Sequence, residues 1–75
     1  MADLKDVVAR NLLRLRQAKG WTQEELADRV GLSVRYVGQV ERGQASMSVT
    51  VLGQFADALA IDVAELVRGA RDRKK

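Results

Sequence analysis

The stretch that most constrains the fold is "TQEELADRVGLSVRYVGQVERG", where two helical patterns are joined by Gly31 and Leu32 alone. The first opens with Thr22 and Glu25 at the S/T-x-x-E spacing of a capping box. Trp21 and Leu26 stand where a hydrophobic staple would form, and Leu26, Ala27 and Val30 face inward before Gly31 ends the helix. The second starts at the N-cap residue Ser33, puts Val37 and Val40 on one face, and stops at Gly43. So short a connection forces a sharp crossing, and the helices approach closely only if one supplies a small residue. Ala27 is that residue, four before Gly31, with Leu26, Val30, Leu32, Val37 and Val40 as a shared apolar wedge behind the crossing. The other face of the second helix carries Val34, Arg35, Gly38, Gln39 and Arg42. A helix this short is not stable alone, so packing must hold that face outward.

The rest of the chain reads as helix too. There is no proline, strand patterns lack support, and apolar residues recur at three and four, which predicts an all-α fold of five helices. Helix one runs from about Leu4 to Lys19, with Asp3 as its cap, Leu4, Val8, Leu12 and Leu15 as its inner stripe, and Gly20 as its stop. Helix four runs from about Val49 to Leu59 after Ser48, with Val51, Leu52, Phe55 and Leu59 on one face. Helix five is expected over Val63 to about Arg68, with Asp62 and Glu65 as a second capping box. A single domain over residues 1–69 followed by a flexible basic tail, 70–75, is the expected organisation.

Seventy-five residues without cysteine or histidine must be stabilised by packing, since neither a disulfide nor a zinc site is available. The N-terminal stretch carries charges every few residues and has no apolar run for a signal peptide or membrane span, so a soluble, cytoplasmic protein is expected. The net charge of +3 is unevenly spread. Residues 1–45 hold eight bases and six acids, residues 46–67 no base and three acids, and residues 68–75 five bases and one acid. The high pI therefore owes most to the tail, whereas the basic front and the acidic, apolar back suggest one surface for a polyanion and another for protein.

A small residue, a glycine four later and apolar residues at the five wedge positions are the helix-turn-helix requirement, and all seven positions agree. With "VLGQFADALAIDVAEL" behind it, the stretch from about Leu12 to Leu66 resembles the phage-repressor or Cro-like (XRE) helix-turn-helix family. The resemblance implies a compact, five-helix, lambda-repressor-like fold that binds operator DNA as a homodimer, with the third helix in the major groove. It implies that Gln23 touches a phosphate, that Ser33, Val34, Arg35 and Gln39 occupy base- and phosphate-contacting positions, and that Arg16 and Glu41 form a structural ion pair. Ser46-Met47 replaces the Asn-Pro frequent in the family, and Ala60 stands where the family favours glycine, so departures are expected in the loop before helix four and the turn after it.

The chemistry of the outward face suits double-stranded DNA. Arg35 can donate twice to guanine O6 and N7, Gln39 can pair with adenine N6 and N7, and Val34 can meet a thymine methyl. Gly38 has no side chain between them, which suits a helix seated deep in the groove. Thr22, Gln23, Ser33, Tyr36, Arg42 and Gln44 flank these readers as expected phosphate contacts. A twofold dimer would bring two such helices to successive turns of the duplex, and Ile61, Val63, Leu66 and Val67 are the expected interface. No nucleophile–base arrangement, phosphate loop or metal-ligand spacing occurs, so no enzyme activity, cofactor, metal or small-molecule ligand is expected. A transcriptional regulator, of the restriction–modification controller or phage-repressor kind, is the favoured reading. An antitoxin or protein-interaction adaptor on the same fold is the alternative, and a surface binder driven by the basic tail is a third.

Overall fold

The computed structural model describes residues 3–69, which form five α-helices and no strand among them. They are α1 (Leu4–Lys19), α2 (Gln23–Val30), α3 (Val34–Glu41), α4 (Val49–Leu59) and α5 (Ala64–Val67). The expected tail, 70–75, lies outside the described residues.

Local capping chemistry sets most of the boundaries. The side chains of Asp3, Thr22, Ser33 and Ser48 accept backbone N–H groups at the starts of α1 to α4. At α2 the box is complete: Thr22 Oγ1 accepts from Glu25 N at 3.0 Å and Glu25 Oε1 from Thr22 N at 2.8 Å. These bonds satisfy donors that have no partner inside a helix. Gly20 and Gly31 close α1 and α2 in the left-handed conformation.

The core gathers Leu12, Leu26, Ala27, Val37, Val40, Phe55, Ala56, Leu59 and Leu66, with contributions from every helix. α1 packs on α3 and α5, while α2 packs on α3 and α4. The two helices of the hairpin are thus backed on both sides, and the wedge residues Val30 and Leu32 pack against the core from its edge. Leu4 does not belong to the inner stripe of α1: it is 52% exposed at the first turn, on the rim of an open cleft shared with Met47 and Leu52. Val7 and Ala9 are buried instead.

α5 is shorter than its sequence pattern suggests, and the expected second capping box does not form. Val63 precedes the helix in a helical conformation without a side-chain cap. Asp62 Oδ1 reaches only Ala64 N, at 3.5 Å, and Glu65 turns away to pair with Arg68 Nη2 at 2.9 Å. What fixes this end of the chain is Asn11 of α1. Its Nδ2 donates to the carbonyls of Leu66 and Arg68, both at 2.9 Å.

Candidate nucleic-acid interface

The third helix is placed by its ends and by one polar network behind it. Ser33 Oγ accepts from Tyr36 N at 3.0 Å, which fixes the entry. At the exit, Gly43 N donates to Val40 O and Gln44 N to Gln39 O, the paired bonds of a Schellman turn with Gly43 at φ 72°. Position 43 favours glycine for its left-handed backbone, and a Cβ there would also lie 2.6 Å from Asp6 Oδ1, so that exposed carboxylate would have to swing aside.

The expected pair of Arg16 and Glu41 forms, and it is the centre of a larger arrangement. Arg16 Nε donates to Glu41 Oε2 at 2.6 Å and Nη2 to Oε1 at 3.1 Å, a two-point contact that fixes orientation as well as distance. The same guanidinium donates through Nη1 to the Trp21 carbonyl at 2.6 Å. Gln23 Nε2 then donates to Glu41 Oε1 at 2.9 Å. Side-chain exposure is 13% for Arg16 and 4% for Glu41, so the charges are well shielded yet fully partnered. α1, the start of α2 and the end of α3 are therefore tied at one point. Gln23, an expected phosphate contact, is thereby also a structural partner of Glu41, a role that no local spacing signals because 18 residues separate the two. Trp21 packs against the core beside it, with the Arg29 guanidinium 4.2 Å and the Lys19 ammonium 5.7 Å from its ring centroid.

On the outer side of α3, Ser33, Val34, Arg35 and Arg42 are exposed and Gln39 is half-buried, while Val37 and Val40 are wholly enclosed. The separation of faces is the one expected, with one difference. Gly38 is buried, because the side chain of Arg42 lies back across it. Arg42 Nε donates to Gln44 Oε1 at 3.1 Å, and Tyr36 is half-buried with its hydroxyl donating to the Ser46 carbonyl at 3.4 Å. The expected phosphate-contacting residues are thus a mixed set: Thr22, Ser33, Arg42 and Gln44 are open, whereas Gln23 and Tyr36 also brace the fold.

The proposed interface between copies needs one correction. Leu66 is completely buried within the core beside Phe55 and Leu59, so its side chain has no surface to offer a second copy. Ile61 and Val67 are half-buried and Val63 is 37% exposed, while Val49, at the start of α4, is 87% exposed.

Two crossed helices with a three-residue junction, an enclosed inner face and a polar outer face define a helix-turn-helix protein. A family model described as helix-turn-helix matches residues 12–66, and the chain belongs to this XRE-type family. It is 42% identical over 65 residues to y4dJ of Sinorhizobium fredii, an uncharacterised HTH-type transcriptional regulator, covering 87% of this chain and 84% of the relative. It is 34% identical to the control protein C.SmaI of Serratia marcescens, over 87% and 77% of the two chains. Among solved structures, the restriction-modification controller protein C.AhdI of Aeromonas hydrophila superposes with a TM-score of 0.80 at 44% identity, covering 83% of this chain and 94% of that one.

Proposed function

We propose that the protein is a sequence-specific DNA-binding transcriptional regulator that reads the major groove with α3 as a homodimer on a twofold-symmetric operator. The observation that carries this reading is the outer face of α3: Val34, Arg35 and Gln39 project from a helix whose other side is locked into the core. Major-groove edges distinguish all four base pairs, and Arg and Gln supply the two-point hydrogen bonds that read them. Ser33, Thr22, Gln23, Tyr36 and Gln44 surround these readers and suit contacts to the phosphate backbone, which position a protein without reading sequence. The similarity to C.SmaI and C.AhdI favours a controller-type regulator among the members of the family. Such a protein works in the cytoplasm, in contact with the chromosome.

The dimer follows from the short reach of one module. Two copies bring recognition helices to half-sites about 34 Å apart, one turn of B-DNA. Val63, Ile61 and Val67 remain the interface residues of this reading, with Val49 at the start of α4 as an additional exposed apolar side chain. Selection of bound duplexes from a randomised library at near-physiological salt tests the proposal. A twofold-symmetric motif is the expected product. Binding that leaves every sequence equally represented, and that only salt weakens, contradicts it and favours the adaptor.

A further inference from the structure

Gly38 and Arg42 stand one helical turn apart, on the same row of α3 as Val34. Side chains on a helix lean toward its N-terminus, so Arg42, at the helix end, is aimed back along this row. In the structure it lies over Gly38. A Cβ at position 38 would be 3.1 Å from Arg42 Nη1 and 3.8 Å from both Cζ and Nη2. The guanidinium thus lies directly against Gly38, close enough that a Cβ there would displace it by a few tenths of an ångström. That place is about 5 Å nearer the middle of the helix than the Arg42 backbone.

Two further features hold it there. Gly43 turns the chain through the left-handed region, and the Gln44 N–H to Gln39 carbonyl bond, 2.9 Å, fixes the residue that follows. The Gln44 side chain then accepts from Arg42 Nε at 3.1 Å. This contact uses Nε alone and leaves the four N–H groups on Nη1 and Nη2 to form the end-on fork that matches guanine O6 and N7. No carboxylate pairs with Arg42 among the described residues.

From this geometry we propose that Arg42 is a specificity-determining base reader, seated on Gly38 and aimed by Gln44, and that it selects a G·C pair in each half-site. Gly38 contributes the seat and makes no base contact of its own. The inference rests on the reading that α3 enters the major groove, and it changes Arg42 from a phosphate contact at the rim to a reader within the groove.

The test uses the full chain and the operator obtained by selection, with each base pair of one half-site replaced in turn and affinities measured at several salt concentrations. Arg42→Lys keeps the charge but not the fork, and is expected to lower discrimination at a single G·C position by about 5- to 150-fold. Gly38→Ala keeps Arg42 but crowds its seat, and is expected to lower discrimination at that same position. Alanine favours helix over glycine, so loss of folding does not confuse the result. If Arg42→Ala weakens binding equally at every variant and reduces the slope of log affinity against log salt by about 1, Arg42 is a phosphate contact and the proposal is overturned. Unchanged discrimination in Arg42→Lys and Gly38→Ala overturns it as well. If the unsubstituted protein itself shows no base preference, the groove-reading premise has failed, and the proposal falls with it. That outcome is seen before any variant is measured.

Discussion

Ala60 ends α4 with φ 57° and ψ 44°, the left-handed conformation that glycine adopts at little cost. Its N–H reaches Asp57 O and the next N–H reaches Ala56 O, so the alanine keeps the turn that a glycine would make. The departure expected from the alanine is thus one of strain rather than of shape. A non-glycine residue in this region costs about 1–2 kcal/mol, while glycine gives back about 0.4–1 kcal/mol through a freer unfolded chain. Ala60→Gly is therefore expected to stabilise the fold by roughly 0.5–1 kcal/mol, a rise in Tm of about 2–8 °C for a domain of this size. Thermal unfolding followed by circular dichroism reads this directly, and a fall in Tm would show that the turn is not strained. At Gly43 the residue is already glycine, and its φ of 72° would strain any other side chain placed there.

At the scale of elements, two polar ties decide where helices sit. Glu41 accepts from Arg16 and Gln23, so removing its carboxylate leaves a shielded guanidinium without its partner. Loss of one member of a buried pair costs about 3–5 kcal/mol. Glu41→Ala is expected to fall near the lower end, since Arg16 retains the Trp21 carbonyl, and urea unfolding should show a clearly lower midpoint. An unchanged midpoint would mean that apolar packing alone orients α3. Asn11 is the second tie. A four-residue helix cannot stand by itself, and the two bonds from Asn11 to Leu66 O and Arg68 O hold α5 against α1. Asn11→Ala should cost about 1–3 kcal/mol, with amide exchange in α5 accelerating more than in α2 or α3. Equal acceleration in all helices would contradict a local role.

The contrast between α2 and α5 shows what a sequence makes legible. Thr22, Glu25, Ser33, Gly20 and Gly31 act through neighbours a few residues away, so the bounds of the first four helices could be read from spacing. Asp62 and Glu65 have the same spacing, but Glu65 engages Arg68 and the helix is secured by a residue 55 positions distant. No local pattern carries that information. The candidate site divides in the same way. The outward placement of Val34 and Arg35 follows from helical period, whereas the cover over Gly38 depends on the path taken by one long side chain, and the enclosure of Leu66 on how α5 meets the core.

The whole molecule is organised so that one short helix has a rigid back and a free front. Its inner face is closed by α1 and α2, its two ends are capped, and the Arg16–Glu41–Gln23 network joins three helices at its C-terminal end. Rigidity of this kind lowers the entropy lost when Arg35 and Gln39 engage base edges, because the backbone that carries them is already fixed. A homodimer doubles the readers and imposes symmetry on the site, so each side chain should leave its signature twice. The most direct test is to select duplexes in parallel with the unsubstituted protein and with Arg35→Ala. The account predicts a symmetric motif that loses its preference at one position in each half-site when Arg35 is truncated, with the other positions retained. Recovery of an identical motif by the variant, with or without a uniform loss of affinity, would contradict base reading by this residue from α3.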